Sequence, residues 1–266
     1  HDRHLDLEEV CAGRSDAEAS RRLDVAAGGL AFWVAAIRES FEEAGVLLAY
    51  DRDGEVVSFA DPDVAARFDA HRDAVDRGGR PLVDVCREEG LRLAVDRMYY
   101  FSHWITPLGA PRRYDTRFFL AAAPPEQVPL HDGRETITHT WVRPAEAIAA
   151  HEAGEFPMIF PTVRSLEALR RFDCAADALA AAAALDHVPA ILPRIVADDG
   201  GGIRIVLPGY PDYEVAVSGA WPEGGIPVDT PLRTQEPACW RGSAPGPRWW
   251  TETHPPSRRR RGPAWP

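Results

Sequence analysis

Apolar residues recur at three- and four-residue intervals over Leu30–Ala44, a pattern that predicts an amphipathic helix. Leu30, Trp33, Val34, Ile37, Phe41 and Ala44 share one face at an increment of about 100° per residue. Gly28-Gly29 precede the stretch and Gly45 closes it, as expected for a helix that ends in a glycine cap. Residues 46–50 read as an apolar strand, and Asp53-Gly54 as a turn into a second short strand at 56–59. Pro62 opens a helix over 63–77 that Gly78-Gly79 end, and 81–89 reads as another, stopped by Gly90. Upstream, residues 1–27 are charged and carry no long period, which predicts loop or short helix.

Downstream the period shortens. Residues 98–106 (MYYFSHWIT) are aromatic and β-branched, Asp115–Ala121 (DTRFFLA) follows a Pro- and Arg-rich turn, and 135–142 (ETITHTWV) alternates polar with apolar. These predict three strands. Pro144 suits the first position of a helix running to about residue 151. Further helices are predicted at 161–172 and 175–185, then a terminal hairpin of 191–196 with 203–207 joined through ADDGGG. Strands mixed with helices, without regular βαβ repetition, predict an α+β chain or an α/β/α sandwich rather than a doubly wound sheet. Past residue 217 neither period survives in a stretch dense in Pro, Gly and Trp, and residues 217–266 are expected to be a disordered tail.

Composition narrows the classes. A chain of 266 residues with a formal charge of -11 can bury a large core but lacks the clustered positive charge of a nucleic-acid binder. The basic residues are all arginine; with the abundance of Ala, Asp, Gly and Pro, this reads as coding bias of a GC-rich bacterial genome. Cys11, Cys86, Cys174 and Cys239 show no metal-ligand spacing, so a reducing, cytoplasmic compartment is expected. No apolar run reaches the roughly 20 residues of a membrane span.

Candidate chemistry sits at the end of the first strong helix. Glu39, Glu42 and Glu43 fall opposite its apolar face, within about 100° of arc. Like charges at spacings of three and four repel by about 0.2–0.5 kcal/mol per pair. They also lie at the partially negative end of the helix dipole, where a cation is preferred. Two readings follow: a solvated acidic face, or a site for a hard divalent cation such as Mg²⁺ or Mn²⁺ that removes the conflict. Only Arg38 flanks the cluster in sequence, placed to hydrogen-bond a carboxylate and fix its orientation.

Arg38 to Val46, RESFEEAGV, resembles the second half of the Nudix box, G-x5-E-x7-R-E-U-x-E-E-x-G-U with U aliphatic. Ser40 departs from it, and Leu30 and Asp24 stand where the first half needs Glu and Gly. One branch of that superfamily, resembling the acyl-coenzyme A diphosphatases, carries an insertion between the two halves. On that resemblance residues 1–29 are insertion, residues 30–190 the Nudix hydrolase domain, residues 191–216 a terminal hairpin, and the glycine half of the box lies before His1. FSHWITPLGAPRRYDTRFFLAAAP, from Phe101 to Pro124, and ETITHTWVRPAEAI, from Glu135 to Ile148, resemble the same branch. The fold it implies is a Nudix-type α/β/α sandwich with a mixed sheet and extra helices.

The resemblance implies hydrolysis of a small nucleoside diphosphate-linked substrate, most of all the diphosphate of coenzyme A or acyl-coenzyme A, giving 3′,5′-ADP and phosphopantetheine or its acyl form. Glu39, Glu42 and Glu43 would hold Mg²⁺ or Mn²⁺, with Arg38 beside them. Glu135 is the loop candidate for general base, against a solvated strand end. Arg112, Arg113 and Arg117 flank a strand turn and suit phosphate gripping through bidentate guanidinium, against a solvated turn with an ion pair to Asp115. Trp104 and Tyr99 read as core rather than as a stack for adenine, and His103 and His139 as core or surface. DDGGGIRIV lacks the ending of a phosphate-binding loop, and Arg258 to Arg261 read as a solvated run. The alternatives are a non-catalytic nucleotide-binding or regulatory Nudix domain, or a hydrolase of another nucleoside diphosphate derivative.

Overall fold

The helical period at Leu30–Ala44 becomes α3 of the computed structural model, which describes residues 7–131, 140–197, 203–210, 213–214 and 233–234. Leu30, Trp33, Val34, Ile37 and Phe41 are buried along it, while Ala44 is half-buried. The charged segment before it holds two helices, α1 (Leu7–Val10) and α2 (Asp16–Leu23). The second is set by a capping pattern: Ser15 Oγ accepts from the Glu18 amide at 3.2 Å. Asp16 then reaches forward, accepting from the amides of Gly28 and Leu30, each at 2.9 Å, and so caps the N-terminus of α3 from another helix. Gly29 packs so tightly on α2 that a Cβ there would lie 2.3 Å from the Ser20 nitrogen.

The strand expected over 46–50 shrinks to β1 (Ala49–Tyr50), and that at 56–59 to a single bridge between Tyr50 and Val56. The reason is a buried side chain. Gln127 accepts from the Leu47 amide at 2.9 Å and donates to the carbonyls of Leu47 at 3.0 Å and Val57 at 2.8 Å. It takes the backbone groups that a neighbouring strand would otherwise pair. The helices α4 (Pro62–Asp76) and α5 (Leu82–Glu89) follow, capped by Asp61 and closed by Gly90 at φ 70°. The strand β2 (Arg92–Leu93) pairs antiparallel with β1.

Two long strands, β3 (Met98–Ile105) and β4 (Asp115–Ala121), lie side by side. Of the strand expected at 135–142, residues 135–139 are outside the described residues and 140–142 form no strand. The helices α6 (Pro144–Glu152), α7 (Phe160–Leu169) and α8 (Ala175–Ala183) follow. The stretch expected as one strand at 191–196 is two. β5 (Ala190–Ile191) pairs parallel with β3, and β6 (Arg194–Ala197) pairs antiparallel with β7 (Ile203–Val206). Pro193 falls in the gap between β5 and β6, where its missing N–H interrupts a ladder. β8 (Arg233–Thr234) adds to β7 in parallel, so this sheet is mixed.

The chain divides into two compact units: His1–Ser102 with Arg117–Pro189, and His103–Thr116 with Ala190–Pro266. In the first, Trp33 is fully buried, donates from its indole to the Met98 carbonyl at 3.1 Å, and meets Phe119 edge-on at 5.0 Å. Leu47, Leu82, Val83, Val85, Leu93 and Val95 complete that core. In the second, Trp104 and His103 are buried. Among the described residues no helix is long and apolar enough to cross a membrane.

Candidate metal centre on helix α3

Helix α3 ends in a left-handed glycine. Gly45 has φ 68°; its amide donates to the Phe41 carbonyl at 3.0 Å, and that of Val46 to the Ser40 carbonyl at 3.2 Å. Two carbonyls of the last turn are met from far along the chain: Glu42 by Arg72 Nε at 2.9 Å and Ala44 by the Leu130 amide at 2.9 Å. The negative end of the helix is therefore held by a cation from α4, a compensation invisible in the local sequence.

On the outer face, Arg38 forms ion pairs with both Glu39 and Glu42. The Glu39 side chain is 51% exposed and that of Glu42 only 12%, so Glu42 is the carboxylate the fold constrains more. Glu43 is half-buried at the next position. Burial opposes the charge of Arg38, but hydrogen bonds and charges of Glu42 and Glu39 outweigh it and raise its pKa above the ordinary arginine value. Glu39 and Glu42 share one guanidinium, so Arg38 does not fully neutralise that pair of carboxylates. Oxygen donors of this kind suit a hard divalent ion, and Arg38 already occupies the position of a cation shared between Glu39 and Glu42. A cavity of about 350 Å³ opens beside Glu42, lined also by Asp69, Arg72, Asp73, Asp76 and His131.

A second group lies between α4 and α5. His71, Glu88 and Glu89 bring one potential ligand atom each to within 4.8 Å of one another, the trio of that kind found among the described residues. Its environment differs from that of α3. Glu89 accepts from Arg67 Nε at 2.9 Å and pairs with His71 Nε2 at 2.9 Å, while Arg80 pairs with Glu88 and lies 3.4 Å from His71 Nδ1. Arginine only donates, so this network puts the imidazole proton on Nε2, facing Glu89. Burial raises the Glu89 pKa, but the hydrogen bonds of His71 and Arg67 outweigh it and hold it below the usual carboxylate range.

The arginines expected around the strand turn are divided between the two units. Arg113 donates to the Thr106 carbonyl at 3.0 Å and Arg112 to the Tyr114 hydroxyl at 3.4 Å, both in the second unit. Arg117 belongs to the first unit and stacks on Phe32 at 4.4 Å, on the opening turn of α3. Asp115 pairs with the buried His103, a partnership that the sequence offered no pattern for. Glu135 and His139 lie outside the described residues. Leu30, in the place of the first box glutamate, is fully buried core, and Asp24 caps α2 at φ 55°. The thiols of Cys11 and Cys86 are free and pushed up to about 12 by burial, so neither is a ready ligand or nucleophile.

Residues 12–169 match the family described as the NUDT19 Nudix domain. The Homo sapiens protein named acyl-coenzyme A diphosphatase NUDT19 is 30% identical over 190 residues, covering 68% of this chain and 50% of that protein. The Gallus gallus protein of the same name is 30% identical over 205 residues, covering 70% and 53%. The chain thus spans about half the length of the curated relatives it matches. A solved NUDIX hydrolase from Alicyclobacillus acidocaldarius superposes with a TM-score of 0.47 at 24% identity, covering 64% of this chain and 69% of that one.

Proposed function

Because the chain belongs to the NUDT19 Nudix domain family, we propose that it is a metal-dependent diphosphatase acting on coenzyme A or an acyl-coenzyme A. The products would be 3′,5′-ADP and phosphopantetheine or its acyl form. The observation that supports this best is the coincidence of the family match with an acidic helix face built around Glu42, the most enclosed carboxylate of the Arg38 pairings. Glu39, Glu42 and Glu43 are the residues proposed to hold Mg²⁺ or Mn²⁺. Such an ion, when bound, neutralises phosphate oxygens and lowers the pKa of water. Arg38 orients Glu39 and Glu42 through its two-armed ion pair. A carboxylate, either one of the three on α3 or Glu135, takes the proton of the attacking water.

A second reading, a Nudix domain that binds a nucleotide without cleaving it, draws on Leu30, an apolar core residue that offers no carboxylate at that box position. The deciding experiment incubates the protein with Mn²⁺ and coenzyme A, an acyl-coenzyme A, ADP-ribose or a dinucleotide, and identifies products by mass spectrometry. Release of 3′,5′-ADP and phosphopantetheine is the expected result. Cleavage of ADP-ribose and not coenzyme A would keep the reaction and refute the substrate; binding of every compound without cleavage would favour the second reading.

A further inference from the structure

Arg72 sits on α4, thirty residues from Glu42 in sequence, yet it reaches the last turn of α3. Its Nε donates to the Glu42 carbonyl at 2.9 Å, and its Nη2 to the Leu130 carbonyl at 2.9 Å. The Leu130 amide in turn donates to the Ala44 carbonyl at 2.9 Å. One guanidinium therefore ties the last turn of α3 to the 126–131 segment, and that segment is itself anchored by Gln127 to Leu47 and Val57. Gly45 completes the arrangement: a Cβ there would lie 3.0 Å from Arg72 Nη1, a tight contact that the glycine avoids.

We propose that Arg72 is a positioning residue for the carboxylates of α3, acting through the main chain of Glu42. The assignment rests on the metal reading of Glu39, Glu42 and Glu43. Both hydrogen bonds found for Arg72 go to carbonyls, so it anchors the backbone without consuming the charge of those carboxylates. Geometry and charge make opposite demands here, and that makes the idea testable. Arg72 shares its cavity with Glu42, Asp69, Asp73 and Asp76. As a mere charge it repels an incoming cation, and removing it would leave a more acidic cavity that binds cations more tightly. As a positioning residue it does the reverse: without its fork the Glu42 backbone loses its fixed place and cation binding weakens.

The experiment measures free Mn²⁺ by electron paramagnetic resonance during titration of wild type, Arg72→Met, Arg72→Lys and Glu42→Gln, well below the melting temperature of each. Arg72→Met and Arg72→Lys should both bind Mn²⁺ about tenfold more weakly, since lysine keeps the charge but not the two-armed geometry. Arg72→Lys, which retains the aliphatic stem and the charge, carries the test if Arg72→Met fails to fold. Wild-type or tighter binding by the folded Arg72 variants, with binding lost in Glu42→Gln, would overturn the proposal and leave the metal reading standing. Equal binding by wild type and Glu42→Gln would overturn the metal reading, and this proposal with it.

Discussion

At the end of α3, Glu39, Glu42 and Glu43 have Arg38 beside them; at the end of α5, Glu88 and Glu89 have Arg67, Arg80 and His71. Both helices put carboxylates where the dipole disfavours them, and both close on a left-handed glycine. The α5 group has gathered its potential ligand atoms more tightly, yet two guanidinium groups already balance its two carboxylates. On α3 a second arginine is present too, but the hydrogen bonds found for Arg72 go to carbonyls and not to Glu39 or Glu42. On the proposed metal reading, proximity of ligand atoms is a weaker criterion for a cation site than the charge its arginines leave over. The destination of each neighbouring arginine decides how much negative charge is left over.

Three experiments press on that contrast, the largest effect first. If Glu42 holds the metal, Glu42→Gln should lower the rate of diphosphate hydrolysis by orders of magnitude while the melting curve moves little, because glutamine keeps the shape and a hydrogen-bonding oxygen and Arg38 keeps Glu39. A variant that melts normally and hydrolyses at the wild-type rate would place the chemistry elsewhere. Glu89→Ala should do the opposite. Removing the shared partner of His71 and Arg67 should cost about 1–3 kcal/mol in urea unfolding with hydrolysis by the folded enzyme unchanged. A loss of activity at full stability would show the α5 group to be functional.

The smallest effect is the acid limb of stability. Asp16 is held below the usual carboxylate range, first by the Leu30 amide and, against some burial, by that of Gly28 and by Ser20; Glu89 is held low by His71 and Arg67 against its own burial. A depressed folded pKa contributes stability that is complete above the unfolded value, about 4, and is lost as pH falls through the folded value. Asp16→Asn and Glu89→Gln should each flatten the fall in stability below about pH 4 relative to wild type. An unchanged acid limb in urea titrations at pH 2.5 to 5, values spanning the carboxylate range of about 2 to 5, would remove these groups from the account.

What the sequence made legible was local. The period and glycine cap of α3 sit within a few residues of one another, as do the Asp53-Gly54 turn and the Gly90 stop of α5, and each formed as read. The pattern Ser15 to Glu18 was equally local and specifies the α2 start, although the surrounding charge hides it. Arg72, Gln127 and the parallel pairing of β5 with β3 were not legible, because their partners lie between 30 and about 90 residues away and leave no period behind. The His71 network was not legible either, built from α4, α5 and Arg80 between them, whose sequences give no sign of each other. In the candidate site, then, the carboxylates were readable as a pattern, while their countercharges and supports were products of the fold.

The most direct test of the residual-charge argument is a calorimetric Mn²⁺ titration of two double variants against wild type. Glu42→Gln with Glu43→Gln strips the α3 group, and Glu88→Gln with Glu89→Gln strips the α5 group. The first should abolish Mn²⁺ binding and the second should leave the wild-type affinity intact. Loss of binding in the α5 variant with retention in the α3 variant would contradict it.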